Sequence, residues 1–309
     1  MMRATLSRTM RRAVAALPRA AAVCALLCAA CWAVCAQSAS GFAEVNGTRL
    51  FYEAKGKGPA VVLIHGGLVD SRLWDEQVGA LAGRFRVVRY DLRGFGRSAA
   101  APEPFSHVED LRGLLDFLKI DRTTLVGLSL GGIIAADFAL EHPERVGRLV
   151  LVGAGLRGDK QPPPASAARA WEAVGRGAEA FADATMTREL YASVRPGSAA
   201  YARLRRMLLD NFKSISTLRP GFIKYPERPT AERLGDIKAP TLVLIGGEDA
   251  PNLKNIADTL AAGIPGARKV TIPGSSHHPP VETPKEFNRA LLGFLEEGRG
   301  RKAKAERRR

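Results

Sequence analysis

The chain has 309 residues, with 46 Lys and Arg against 31 Asp and Glu, for a net charge of +15. At 46% hydrophobic and 25% charged residues it is too apolar for a disordered chain and long enough to bury a sizeable core. A collagen repeat, a coiled coil and a disulfide-held mini-protein are excluded. The charge sits mainly at the two ends. Residues 1–36 hold Arg3, Arg8, Arg11, Arg12 and Arg19 and no acid, and residues 298–309 (GRGRKAKAERRR) add a net +6. Removing both from the total leaves +4 for residues 37–297, so the charge is no argument for a nucleic-acid-binding fold.

The basic start leads into seventeen small or apolar residues, Ala20 to Ala36, ending in Val34-Cys35-Ala36 before Gln37. That pattern reads as a secretory signal peptide cleaved after Ala36, which predicts a periplasmic or secreted protein. Seventeen apolar residues also reach the lower edge of a membrane span, so a retained anchor is the alternative and the one expected membrane contact. All four cysteines (Cys24, Cys28, Cys31, Cys35) lie in this leader and read as small hydrophobes rather than metal ligands. The tail at 298–309 reads as a solvated, disordered charge run.

From Gly41 onward, strand and helix signals alternate. Phe42–Val45 and Arg49–Glu53 flank Asn46-Gly47, a hairpin turn signal. Ala60–Ile64 (AVVLI) is a continuous apolar, β-branched run, as expected of a strand covered on both faces. Phe85–Tyr90, Thr123–Val126, Leu149–Val152 and Thr241–Ile245 are similar, and Lys269–Ile272 is a shorter case. Helical periods fall between them. Ser106–Leu118 opens with Ser106 and Glu109 at capping-box spacing, and Leu130–Leu140, Leu253–Ala262 and Pro284–Leu295 come after it. This alternation predicts an α/β fold with a mostly parallel, doubly wound sheet.

The stretch from Gly155 to Ala239 carries no convincing strand but several helical periods, with Trp171, Phe181, Tyr191, Tyr201, Met207 and Phe212 available for its apolar faces. It reads as a helical insertion, because a structureless loop of that length is improbable. The expected organisation is a leader at 1–36, a core of residues 37–155 and 240–297, a helical insertion at 156–239 and a basic tail at 298–309.

The sharpest chemical signal is Gly127-Leu128-Ser129-Leu130-Gly131-Gly132, directly after the strand Thr123–Val126 and before a helical run. Gly-x-Ser-x-Gly in a strand–turn–helix context is a nucleophile elbow that projects its serine from the top of a sheet. A serine at neutral pH needs a base and a group to orient that base. Asp249, in Gly246-Gly247-Glu248-Asp249, and His277, in Ser276-His277-His278-Pro279, lie beyond the last two strands, in the chain order Ser, Asp, His. Glu248 and His278 are the weaker alternatives. The Leu130 N–H, next after the nucleophile, and the Gly67 N–H, in His65-Gly66-Gly67-Leu68 after Ala60–Ile64, are the candidate oxyanion donors. His65 reads as a structural loop residue, and His107 and His142 receive no role.

These motifs resemble the α/β-hydrolase superfamily over nearly all of residues 41–297. The carrying residues are His65-Gly66-Gly67, Asp91-Leu92-Arg93-Gly94-Phe95-Gly96-Arg97-Ser98, Gly127–Gly132, Gly246–Asp249 and His277-x-Pro279-x-x-Glu282-x-Pro284. The resemblance is to the serine branch with a helical cap, which contains esterases, lactonases and C–C bond hydrolases. It implies a structural role for Asp91 and Arg93. Related dehalogenases and epoxide hydrolases carry aspartate where this chain has Ser129. Relatives usually have glycine before the catalytic histidine, whereas here Ser276 stands there. The resemblance implies a Ser129–His277–Asp249 hydrolase acting on a small-molecule ester or lactone without metal or organic cofactor. An exported carboxylesterase is the first expectation; an enol-lactonase, a C–C bond hydrolase or a slow-turnover ligand-binding protein of the same fold are the alternatives.

Overall fold

The computed structural model of the protein describes residues 38–161, 165–217 and 221–297. The leader read at 1–36 and the tail read at 298–309 lie outside the described residues. Eight strands form one sheet: β1 (Ser38–Val45), β2 (Thr48–Lys55), β3 (Ala60–Ile64), β4 (Arg86–Tyr90), β5 (Thr123–Leu128), β6 (Val146–Val152), β7 (Thr241–Gly246) and β8 (Arg268–Ile272). Their spatial order is β1-β2-β4-β3-β5-β6-β7-β8. The pair β2 and β4 is antiparallel, and every pairing from β4 through β8 is parallel. Val61 to Ile64 of β3 and all six residues of β7 are buried, as their unbroken apolar sequences require of strands covered on both faces.

The helices among the described residues are α1 (Asp75–Leu81), α2 (His107–Phe117), α3 (Leu130–Glu141), α4 (Ala165–Glu172), α5 (Ala178–Met186), α6 (Ala199–Thr217), α7 (Pro251–Gly263), α8 (Pro279–Glu282) and α9 (Pro284–Glu296). Helix α2 starts where its sequence places it: the Ser106 hydroxyl accepts the Glu109 N–H at 3.4 Å. Helix α3 is apolar on nearly every side, and its buried residues include Ile134, Ala135 and Phe138. The described residues from Ser40 onward form one compact unit.

Two elements differ from the sequence reading. Strand β8 is not covered on both faces: Arg268 to Thr271 are exposed and only Ile272 is buried. It closes one end of the sheet and pairs with β7 alone, a position that tolerates Arg268 and Lys269 on its surface. Helix α1 has no counterpart in the sequence reading, because seven residues interrupted by Gly79 are too few to show a period. Its buried Gln77 and Leu81 come from tertiary packing.

The segment between β6 and β7 is helical, as expected, and is built from α4, α5 and α6. Phe181, Tyr191 and Met207 are buried in it, whereas Trp171 is 50% exposed and lies beside the Phe181 ring rather than in a core.

The strand order fixes where a ligand can lie. Strand β3 lies between β4 and β5, so the chain leaves β3 toward one side of the sheet and leaves β5 toward the other. Loops leaving neighbouring strands in opposite directions open a crevice at the carboxyl edge of the sheet. In register, Ile64 pairs with Gly127, Leu128 with Val152, Val152 with Leu244, and Gly246 with Ile272. The carboxyl ends of β3, β5, β6, β7 and β8 therefore stand side by side.

Candidate active site

At the end of β5 the backbone turns sharply into α3, and Ser129 occupies the turn with φ 54° and ψ −112°. A side chain in that region is strained by about 1–3 kcal/mol and persists only where its surroundings enforce it. The enforcement is steric. A Cβ on Gly127 would press into the Gly131 carbonyl, and one on Gly131 would press into the carbonyl oxygens of Ile64 and His65. Only glycine lets strand, turn and helix approach this closely. The Ser129 N–H donates to the Val152 carbonyl at 2.9 Å, tying the turn to the end of β6.

His277 and Asp249 meet beside it. The His277 Nδ1 lies 3.0 Å from Asp249 Oδ2, and both side chains are buried. The other carboxylate oxygen, Oδ1, accepts the Ala250 N–H at 2.8 Å. A proton on Nδ1 directed at Asp249 leaves Nε2 as the free, basic nitrogen. Gly153, next after the residue that holds the Ser129 N–H, lies directly under this pair. A Cβ placed on it would be 3.0 Å from His277 Nδ1 and 3.2 Å from Asp249 Oδ2. The ends of β5, β6, β7 and β8 thus bring Ser129, Asp249 and His277 to one place. Among the described residues no hydrogen bond joins the Ser129 hydroxyl to His277.

The segments that carry the two candidate oxyanion donors lie against each other. A Cβ on Gly66 would lie 3.3 Å from Ser129 Cβ, and one on Gly67 would lie 3.9 Å from Leu130 Cδ2. The loop after β3 therefore passes over the elbow. Leu130 opens α3, so its N–H belongs to the first helical turn, whose donors have no partner within the helix.

The neighbouring residues separate by their partners. Glu248 accepts from the Ser193 hydroxyl at 2.9 Å and so turns toward the helical segment, not toward His277. His278 stacks on Tyr191 with ring centroids 4.8 Å apart, and its Nδ1 stays 3.9 Å from Glu282. Burial pushes His278 well below the ordinary imidazole range, and His277 beside it pushes the same way, so His278 is neutral. Of the two adjacent histidines, His277 is the one with a carboxylate at hydrogen-bond distance.

Glu282 fixes this loop by accepting the N–H groups of Ser276 and His278, each at 2.6 Å. Burial pushes its carboxyl upward, against the lowering effect of those hydrogen bonds.

His65 is structural. Its Nε2 can only accept the Leu92 N–H, at 2.9 Å, which leaves the ring proton on Nδ1 to donate to the Gly66 carbonyl at 2.7 Å. Burial lowers its pKa, which keeps that neutral tautomer. Asp91 accepts the N–H groups of Ser71 and Arg97, and Arg93 forms an ion pair with buried Asp110. Both residues therefore serve the scaffold, as the motif around them implies. Among the described residues no group of three or more His, Cys, Asp or Glu side chains is arranged to hold a metal ion.

A sequence model described as the α/β hydrolase family matches residues 61–290. The chain belongs to the α/β hydrolase family. Similar curated proteins and solved structures agree on hydrolysis but carry different substrates in their names. This hydrolase is 30% identical over 261 residues to the putative carbamate hydrolase RutD of Azorhizobium caulinodans, covering 83% of this chain and 98% of that one. A thermophilic esterase from Thermogutta terrifontis superposes with TM-score 0.73 at 28% identity, covering 84% of this chain and 98% of that one. The enol-lactonase of Burkholderia xenovorans LB400 superposes with TM-score 0.71 at 31% identity, covering 83% of this chain and 100% of that one.

Sequence reasoning missed one part of the site. The helical segment reaches the histidine loop: the His277 N–H donates to the Leu190 carbonyl at 3.2 Å, and the Ser276 hydroxyl lies 3.1 Å from the same oxygen. A backbone carbonyl in an irregular turn leaves no residue pattern. The one available signal was the serine at position 276.

Proposed function

We propose that the protein is an exported serine hydrolase that cleaves carboxylic esters through an acyl-enzyme, with Ser129 as nucleophile, His277 as base and Asp249 as its orienting acid. The observation that carries the reading is the buried His277–Asp249 hydrogen bond set beside a strained elbow serine. The Ser129 Oγ attacks the ester carbonyl and gives its proton to His277 Nε2. The N–H groups of Leu130 and Gly67 receive the negative charge that develops on the carbonyl oxygen. His277 then protonates the leaving alcohol, and a water molecule activated by the same nitrogen releases the acid. The hydrogen bond between Ser129 and His277 closes when substrate displaces solvent, since such contacts tighten in the substrate complex. Within this reading residues 156–239 form a cap over the crevice and residues 1–36 direct export.

The experiment is a turnover panel of short-chain aryl esters, a thioester, lactones and an amide, run on wild type and Ser129→Ala. The expected result is steady multiple turnover fastest on the esters, with kcat lowered by about 10⁴-fold or more in the variant. A single stoichiometric burst points instead to a ligand-binding protein, and near-normal turnover by Ser129→Ala removes that residue from the mechanism. The likeness to an enol-lactonase at 31% identity favours a second reading, ring opening of a lactone, which the same panel detects as lactone turnover exceeding ester turnover.

A further inference from the structure

We propose that Ser276 is a positioning residue that fastens the helical segment between β6 and β7 to the loop carrying His277, so that the aim of the base depends on where that segment sits. The inference rests on His277 being the base. Ser276 is completely buried, and its hydroxyl stands at a junction. On one side lie the Leu190 carbonyl at 3.1 Å and the Ser193 N–H at 3.4 Å, both from the turn that follows α5. On the other lie the two Glu282 oxygens at 3.0 and 2.9 Å, from the end of α8, directly after the histidine loop.

A hydroxyl has one proton and two acceptor sites. The Ser193 N–H fills an acceptor site, and the single proton is shared between Leu190 and Glu282. The Leu190 carbonyl also takes the His277 N–H at 3.2 Å, so one carbonyl of the helical segment holds two consecutive residues of the loop. Around this centre the same turn makes two more contacts with the site. Tyr191 stacks on His278, and the Ser193 hydroxyl donates to Glu248, the neighbour of Asp249. Behind the loop there is no slack, because a Cβ on Gly246 would press into the Ser276 carbonyl. The loop is fixed by backbone on the sheet side, and on the helical side by the Ser276 side chain together with the His277 N–H and the His278 ring. Displacing residues 190–193 therefore pulls on the backbone of His277, and the imidazole must turn relative to Asp249.

A glycine at 276 keeps every backbone contact and removes only this tie, so Ser276→Gly and Ser276→Ala are the test variants. The expected result is a kcat on p-nitrophenyl butyrate lowered about tenfold, since a small misplacement of a catalytic group is costly. KM should stay within about twofold of wild type, because the tie holds the base and not the groups that bind the ester. Tyr191→Leu releases the same turn from its other side. Combining it with Ser276→Ala should therefore cost little beyond the larger single effect, not the product of the two. Unchanged kcat in both Ser276 variants, a loss carried mainly by KM, or multiplicative losses in the double variant overturn the tether. His277→Ala is measured alongside: turnover that survives it defeats the assignment of the base, whatever the Ser276 variants do.

Discussion

Where α3 meets the sheet, backbone touches backbone. Gly127 leaves no room for a side chain against the Gly131 carbonyl, and Gly131 leaves none against the carbonyls of Ile64 and His65. Where α6 meets the same core, its polar contacts run through side chains, the Arg203–Asp75 ion pair among them. Asn211 Nδ2 donates to Asp70 Oδ2 at 2.8 Å, and its Oδ1 accepts the Gly96 N–H at 2.7 Å. The first kind of contact cannot loosen by degrees, because any displacement collides with carbonyl oxygens. The second joins apolar side chains such as Leu204 and Leu208 to side-chain hydrogen bonds, each with a net worth of about 0.5–1.5 kcal/mol, and can open without unfolding the sheet. The proposed function uses both: a serine held in strain by rigid surroundings, and a covering element that lets substrate in.

The sharpest way to break this contrast is to crowd the rigid side. Gly131→Ala puts a methyl group against two backbone oxygens that cannot step aside. Overpacking of this kind costs about 1–3 kcal/mol, and a displaced nucleophile loses about 10²-fold in kcat. Thermal denaturation and ester turnover check both numbers. Gly79, exposed on α1 with open space at its Cβ, is the control. Gly79→Ala should leave turnover alone and raise stability by about 0.5–1 kcal/mol. Equal effects at the two glycines would show that close approach at the elbow is not what fixes the serine.

The two regions also differ in how far they could be read from sequence. The strands of the sheet were legible because burial on both faces demands uninterrupted apolar runs, and AVVLI and TLVLI admit little else. The elbow was legible because its glycines answer to a steric requirement, and the contact of Asp249 with His277 because both lie just beyond the last two strands. The helical segment was legible only as helical. Its ties to the core join Asn211 to Asp70 and Leu190 to His277, residues 141 and 87 positions apart with no local pattern linking them. Trp171 shows the limit of composition as a guide, since a residue counted toward the apolar faces is half exposed.

Loosening the polar side should give a smaller and differently distributed effect. Asn211→Ala leaves the Gly96 N–H without its acceptor. It also removes one of the two hydrogen-bonding side chains that hold the Asp70 carboxyl below its usual range against burial, Arg72 being the other. Leaving buried groups unsatisfied costs about 1–3 kcal/mol. Hydrogen exchange should then quicken in residues 199–217 while β5 and β6 stay protected, and kcat should change less than in Gly131→Ala. Uniform loss of protection across the sheet would mean that α6 and the core unfold as one body.

The effect that vanishes at neutral pH lies in neither contact but at the start of α2. His107, the first residue of α2, is buried edge-on against Phe105, with ring centroids 4.8 Å apart and neither ring nitrogen partnered among the described residues. Burial, with His65 and Arg93 pushing the same way, takes its pKa down to about 3. In the unfolded chain an imidazole titrates near about 6.5, so below that pH the unfolded state takes up a proton that the folded state refuses. The stability His107 allows is complete above about pH 6.5 and drains away as pH falls from there toward about 3. Phenylalanine fills the same space and titrates in neither state. His107→Phe should match wild type at pH 7 in Tm and then fall less steeply through pH 6, 5 and 4, with turnover unchanged. Parallel curves for the two proteins would show that His107 takes up its proton without leaving the core.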